Sequence, residues 1–262
     1  MIRPSSADRP SGKVCFVGAG PGAPDLITVR GQRYIREAAR VIYAGSLVPP
    51  TLLDEAGRAS GTSECIDSSS LTLDEVHALC LETVRTGGLV ARVHTGDPGL
   101  YGTVREQIRL LDRDNVAWEI VPGVTAAFAA AAAAGVSLTV PEITQSVILT
   151  RQAGRTPVPE KERLRDLARH HSTIALYLSA QEPETVQAEL AGLPQDTSVI
   201  CAYRVGWPDQ KLVRATVGTL AACMREHALT RQTVLLILPG EQEGHETTSR
   251  LYAPDFSHGF RS

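Results

Sequence analysis

Cysteine is sparse and scattered in this sequence. The five cysteines among 262 residues, at positions 15, 65, 80, 201 and 223, are odd in number and form no C-x-x-C pair. They argue for a reducing, cytoplasmic setting and against both a disulfide framework and a zinc site. The seven histidines include no H-E-x-x-H motif, and only His170 and His171 are close neighbours, so no metal is expected. No apolar run approaches the ~20 residues of a membrane span. The opening stretch, Met1 to Ser11, is polar, holds two prolines and lacks an apolar signal core. A disordered leader is expected over residues 1–12. Positive charge is not in excess either. A net charge of −3 supplies no basic field for nucleic acid, so an anionic ligand must be held by a local group of arginines. Neither G-x-x-x-x-G-K-[ST] nor G-x-S-x-G occurs, and no Ser or Cys is set beside a His in a way that supports nucleophilic catalysis.

What is present suits a soluble globular protein: 43% hydrophobic and 21% charged residues, and length for one large or two smaller α/β domains. The chain centres on His94-Thr95-Gly96-Asp97-Pro98-Gly99-Leu100-Tyr101-Gly102. An apolar run, Leu89 to Val93, precedes it as a buried strand, and Thr103 to Leu111 follows with helical periodicity. In open α/β sheets ligands bind at such strand-to-helix turns. The glycines let backbone approach a ligand. Asp97 could accept hydrogen bonds from hydroxyls or an ammonium, or merely cap the helix.

Lys13 to Val17 reads as the first strand and ends in a similar loop, Gly18 to Thr28, stiffened by Pro21 and Pro24. A helix is expected from about Val29 to Ala39, then a strand from Arg40. Leu73 to Val84 reads as an amphipathic helix with Leu73, Val76, Leu79 and Leu81 on its apolar side, ended by Gly87-Gly88. Val116 to Val121 is a further strand, closed by Pro122-Gly123. Val124 to Ala134, with six consecutive alanines, is a helix of little bulk. Thr125 could cap it. Thr125 and Ala126 are expected to face the same cleft as the Gly-Asp turn, leaving room for something packed close to the helix start.

The pattern restarts after Glu142. Strands are expected over Ser146–Thr150, Thr173–Ser179, Ser198–Tyr203, Leu212–Val217 and Thr233–Leu238, with a charged helix from about Glu160 to His170. A hairpin-like turn at Gly206 to Gln210 makes this second sheet mixed. Alternation elsewhere implies parallel β with covering helices. The expected fold is therefore α/β in two domains. Residues 13–138 carry a mostly parallel sheet with helices, residues 139–240 a mixed sheet with helices, and residues 241–262 a polar tail.

Gly18-x-Gly20-x-x-Ala23 formally fits the dinucleotide fingerprint. Pro21 and Pro24 disturb the helix start it needs, and no Asp or Glu stands between Glu37 and Asp54 to hold a ribose. Both facts count against a nicotinamide or flavin oxidoreductase. Glycine-rich strand ends with few ionisable groups suit a nucleoside-type ligand held by backbone and apolar contacts.

Val17 to Thr28, Tyr43-Ala44-Gly45-Ser46-Leu47-Val48, His94 to Gly102 and Val121 to Ala126 together resemble the tetrapyrrole methylases, S-adenosylmethionine-dependent enzymes of corrin and sirohaem synthesis. Gln145 to Arg151, Gly154 to Glu160, Thr173 to Ser179 and Trp207-Pro208-Asp209 are similar to the precorrin-4 C(11)-methyltransferase group. The likeness covers about residues 13–240. It implies a two-domain fold with the donor site between the domains, and a homodimer. It implies S-adenosyl-L-methionine as donor, S-adenosyl-L-homocysteine as product, and precorrin-4 or cobalt-precorrin-4 as substrate in cobalamin synthesis. Methylation of another precorrin carbon or of uroporphyrinogen III, and a non-catalytic tetrapyrrole carrier, are the competing readings. The donor contacts it implies are Pro21, Gly96, Asp97, Leu100, Tyr101, Thr125, Ala126, Leu178, Val205 and Thr233. Val205, Thr233 and Gly99 depart from the residues common in the group. Arg151, Arg155 and Arg204 are expected to meet the substrate's acetate and propionate groups, joined by Arg30 or Arg105. No general base is assigned; Tyr101 and Asp25 are candidates by position only.

Overall fold

The computed structural model describes residues 11–55, 64–154, 156–241 and 257. Arg155, the first ten residues of the expected leader, and most of the expected tail lie outside the described residues. The chain divides into two compact units. One runs through Ala129 and takes in Gly206–Pro208; the other comprises Ala130–Val205 and the chain from Asp209 onward.

In the first unit, β1 (Lys13–Gly18), β2 (Arg40–Tyr43), β3 (Glu64–Asp67), β4 (Leu89–His94) and β5 (Ala117–Val121) form one sheet in the order β3-β2-β4-β1-β5. Every pairing is parallel, so the five carboxyl ends share one edge. Alternate side chains face opposite sides. Cys15 and Val17 pack with Tyr34 and Ile35 of α1 (Val29–Glu37) and Leu52 and Leu53 of α2 (Pro50–Glu55). Val14 and Phe16 pack with Val76, Cys80 and Val84 of α3 (Leu73–Arg85) and Leu111 of α4 (Val104–Arg113). β1 and β4 are thus neighbours whose following helices, α1 and α4, lie on opposite faces. Their carboxyl ends form the switch point of the sheet, the place where open α/β sheets bind ligands. The alanine-rich α5 spans Ala126–Ala134.

Local sequence sets the helix ends. Thr28 caps α1, its hydroxyl oxygen accepting the Gly31 N–H at 3.1 Å. Thr72 and Glu75 form a capping box on α3. At its other end Gly87 takes a φ of +85°, and the N–H groups of Gly87 and Gly88 donate to the carbonyls of Val84 and Thr83 at 3.1 and 3.0 Å. This Schellman closure is the stop expected from the glycine pair. The buried face of α3 differs from the expected leucine stripe. It consists of Val76, His77, Cys80, Thr83 and Val84, while Leu73 is 42% exposed and Leu79 and Leu81 are only partly buried. Val76, Cys80 and Val84 repeat at four-residue intervals towards the sheet. Leu79 and Leu81 stand roughly 100° to either side of Cys80, and Leu73 opens the first turn.

His77 also joins α3 to the end of α4: its Nε2 donates to Asp114 Oδ2 at 2.6 Å. That hydrogen bond, helped by Arg113, holds the Asp114 carboxyl below its ordinary value. A depressed folded pKa gives stabilisation that is complete above the unfolded carboxylate's pKa and is lost as pH falls through the folded one. His77→Ala is expected to cost about 1 kcal/mol near neutrality. Its deficit against the parent protein should shrink below about pH 4 in melting curves; a deficit independent of pH would refute the pairing.

In the second unit, β6 (Val147–Arg151), β7 (Thr173–Tyr177), β8 (Ser198–Tyr203), β9 (Lys211–Thr216) and β10 (Thr233–Leu238) are ordered β6-β7-β10-β8-β9. β6 and β7 are parallel and the other pairs antiparallel, the mixed sheet that the Gly206 to Gln210 turn implies. α6 (Leu164–Ala168), α7 (Pro183–Glu189) and α8 (Leu220–Glu226) supply Leu164, Val186, Leu220 and Met224 to a core with Ile174, Leu176, Val199 and Leu235. The charged helix expected from Glu160 to His170 is broken. Glu160–Glu162 makes one 3-10 turn, Arg163 is extended, and only Leu164–Ala168 is α-helical. Glu160, Lys161 and Glu162 are all exposed, so that turn has no apolar face to bury, whereas Leu164 and Ala168 do. No helix among the described residues is long and apolar enough to cross a membrane.

Candidate active site

Three loops at the carboxyl edge of the first sheet meet through glycine. A Cβ on Gly123 would stand 2.1 Å from the Gly96 carbonyl oxygen and 2.8 Å from Gly18 Cα. One on Gly18 would stand 2.6 Å from Gly123 Cα. Backbone packs on backbone here, and any side chain is excluded. Hydrogen bonds lock the arrangement. The Ala19 N–H donates to the His94 carbonyl at 2.8 Å, and Gly20 and Gly96 exchange N–H···O bonds of 3.2 and 2.7 Å. Gly20 and Gly96 hold φ values of +76° and +62°, which suit glycine alone at little cost.

Asp97 caps no helix. The N-cap of α4 is Thr103. Asp97 Oδ1 accepts the Gly99 N–H at 2.8 Å and Oδ2 accepts the Gly123 N–H at 2.9 Å. The Leu100 N–H returns to the Asp97 carbonyl at 3.2 Å, so Asp97-Pro98-Gly99-Leu100 is a β-turn with proline at its second position. The carboxylate therefore shapes this turn and ties it to the end of β5. Tyr101 and Thr103 follow with φ of +58° and +50°. Gly102 between them admits no side chain, since a Cβ would lie 2.5 Å from the Pro98 carbonyl oxygen. Left-handed non-glycine residues cost on the order of 1 kcal/mol each and gather at functional sites. Here they present Tyr101, 43% exposed, at the sheet edge.

His94 lies beneath the turn. Its ring is 5.9 Å from that of Phe16, and its buried Nε2 has no hydrogen-bond partner. Burial first, and Arg92 second, push its pKa down to about 3, so the imidazole is neutral at physiological pH. Pro21 is buried in the first loop, and its carbonyl accepts the Trp207 indole N–H at 3.1 Å. Gly22 makes room for that indole, since a Cβ there would stand 2.4 Å from Trp207 Cδ1. Trp207→Phe removes the donor and leaves the Pro21 carbonyl unpaired. It is expected to cost about 1 kcal/mol in urea unfolding; an unchanged midpoint would show the bond to be dispensable. Thr125 completes this side: its Cα lies 3.7 Å from where a Gly96 Cβ would be, and its carbonyl accepts the Ala129 N–H as α5 begins. Pro21, Gly96, Asp97, Leu100, Tyr101, Thr125 and Ala126 thus belong to one connected set of loops in the first unit.

Arg151, Leu178, Arg204, Val205 and Thr233 fall at one end of the strands of the second sheet. Arg151 ends β6 opposite Tyr177, and Thr233 begins β10 opposite Tyr203. The register that sets Leu176 opposite Leu235 carries Leu178 to the level of Thr233. Leu178 has a φ of +53° and is 73% exposed, an uncommon state for a large apolar residue. Val205 is buried, and the Thr233 hydroxyl donates to the Arg231 carbonyl at 3.3 Å. The Arg151 guanidinium holds its own loop, donating to the carbonyls of Gln152, Thr156 and Pro157 at 3.3, 3.1 and 2.7 Å. Arg204 pairs with Asp209 at 2.7 Å. In the first unit Arg30 pairs with Glu119 at 3.7 Å, and Arg105 is exposed. The packing roles of Gly18, Gly123, His94 and Trp207 have only a weak sign in the sequence: a glycine or aromatic at a strand end.

Comparison with known proteins agrees with this architecture. The family described as Tetrapyrrole (Corrin/Porphyrin) Methylases matches residues 13–221. A cobalt-precorrin-4 C(11)-methyltransferase of Priestia megaterium is 46% identical over 254 residues, covering 95% of this chain and 97% of that one. A precorrin-4 C(11)-methyltransferase of Pseudomonas aeruginosa is 44% identical, covering 95% and 98%. Among solved structures, a cobalt precorrin-4 methyltransferase matches with a TM-score of 0.83 at 45% identity, over 90% of this chain and 98% of that one. A uroporphyrin-III C-methyltransferase from Thermus thermophilus, complexed with S-adenosyl homocysteine, matches with a TM-score of 0.71 at 25% identity, over 86% and 97%. With its parallel first sheet, its glycine-locked loops and these likenesses along nearly its whole length, the chain belongs to the tetrapyrrole methylases.

Proposed function

We propose that the chain is an S-adenosylmethionine-dependent methyltransferase acting on carbon 11 of precorrin-4 or cobalt-precorrin-4 in cobalamin synthesis. The observation that carries this reading is the 44–46% identity, over nearly the full length of both partners, to proteins bearing that activity. The crevice supports the donor. A Cβ on Gly96 would meet only Thr125 Cα at 3.7 Å and the Val124 carbonyl at 3.9 Å, so a nucleoside can lie against bare backbone there. When bound, S-adenosylmethionine supplies a methyl group on a sulfonium, already a good leaving group.

The chain's own work is then to align and to exclude water. Pro21 and the Gly96–Tyr101 turn wall the crevice, and Thr125 and Ala126 leave its floor open. Leu178, Val205 and Thr233 are the proposed donor residues of the second unit. Asp97 gives both oxygens to backbone N–H groups, and His94 is neutral, in keeping with a transfer that needs no conspicuous acid–base pair. Arg151, Arg155 and Arg204 are the proposed partners of substrate carboxylates.

The purified protein should retain or bind S-adenosylhomocysteine, detected by mass spectrometry. Labelled donor with metal-free or cobalt-loaded precorrin-4 should give a product labelled at carbon 11 by NMR, and the faster substrate identifies the natural one. Label at another carbon, or none with either substrate, would overturn the assignment. A homodimer and a cytoplasmic location belong to the same proposal; a monomer mass in sedimentation would remove the first.

A further inference from the structure

Arg92 lies half-buried on the first sheet. It lies on β4 two residues before His94, on the same face of the strand. Among the described residues no ion pair reaches it, and burial holds its guanidinium below the usual arginine value. Its hydrogen bonds go to neutral acceptors. Nε donates to Gln107 Oε1 and Nη1 to the Ile42 carbonyl, each at 3.2 Å. A half-buried cation answered, among the described residues, by neutral oxygens is a poor stabilising device, and an apolar residue of similar size would serve the core as well.

Gln107 shows what the charge is used for. It is 7% exposed, on the buried side of α4. Arginine has no acceptor, so the amide atom facing it is the oxygen, and the amide NH2 must point the other way. There it donates to the Thr103 carbonyl at 3.4 Å. Thr103 is the left-handed residue that closes the central turn, directly after Tyr101 and Gly102. His94 supports the same turn from below, since a Cβ on Gly102 would lie 3.3 Å from its Nδ1.

We propose that Arg92 and Gln107 are positioning residues for the donor turn. Arg92 orients the Gln107 amide, the amide adds a second bond to the Thr103 carbonyl beside the first backbone bond of α4, and the turn is thereby fixed with Leu100 and Tyr101 displayed at the crevice. This rests on the methyltransferase reading above and assigns it two residues that touch no ligand.

Gln107→Glu separates positioning from charge burial. The new carboxylate still accepts from Arg92 and gives it a counter-charge, but it cannot donate to Thr103. The melting temperature should hold or rise. The dissociation constant for S-adenosylhomocysteine in calorimetry should increase about tenfold or more, with a parallel fall in kcat for labelled methyl transfer. Arg92→Met should show the same loss, and Arg92→Lys, which still donates to Gln107, should recover part of it. Parental binding and kcat in Gln107→Glu would overturn the inference, as would equal values for the Met and Lys variants. Failure of the parent protein itself to bind S-adenosylhomocysteine would overturn the donor assignment instead.

Discussion

Gly123→Ala is expected to abolish binding of S-adenosylhomocysteine and to cost about 3 kcal/mol of folding stability. The added methyl would sit 2.1 Å from the Gly96 carbonyl oxygen, with Gly18 Cα and C at 2.8 and 2.9 Å. All three obstacles are backbone at the ends of paired parallel strands, so no rotamer change relieves them. The loops must part, and parting breaks the Gly20–Gly96 exchange that shapes the crevice. Gly192→Ala is the control, because a Cβ there meets nothing within 4 Å. Calorimetry for the ligand and urea unfolding for the fold read both effects. Full binding in Gly123→Ala would show that the glycine junction is not what forms the site.

Asp97→Asn should be nearly as damaging as Asp97→Ala, though asparagine keeps the shape. The carboxylate accepts two N–H groups, one on each oxygen. Asparagine has one oxygen only, so its NH2 must face either the Gly99 or the Gly123 N–H, donor against donor. Hydrogen bonds to a charged acceptor are worth about 1.5–3 kcal/mol. Each variant should lose about 2 kcal/mol of stability, with donor affinity falling at least tenfold. The loss of affinity works through the shape of the turn, because both oxygens are already occupied by backbone. An unchanged dissociation constant in Asp97→Ala would remove Asp97 from the site.

Much of this was legible in the sequence where a short apolar run meets a glycine. β1, β4 and β5, their loops and the mixed character of the second sheet follow from that signal. β3 was not legible: it is a four-residue edge strand with no buried residue. α2, α7 and α8 are six or seven residues long, too short for a periodicity to register, and they form because packing supplies what nucleation lacks. Leu178 read as the interior of a strand. A left-handed leucine exposed at a sheet edge carries no mark in composition or spacing. The Asp97 carboxylate could be placed in the turn, but its partner Gly123 belongs to a separate loop that only the folded sheet brings alongside. The arginines show the same limit. A guanidinium in a loop is visible in the sequence, while its commitment to neighbouring carbonyls, as at Arg151, is a matter of geometry.

The paired bonds between Gly20 and Gly96 also bear on when the protein can act. β4 inserts between β1 and β2 although it follows β3 in the chain, so these two glycines meet only after the intervening segments have been laid down and a central strand has threaded into place. Contacts this distant along the chain form late. During refolding, helical circular dichroism should therefore recover before ligand capture does. On the ribosome, a nascent chain that ends before Thr125 has no crevice to offer.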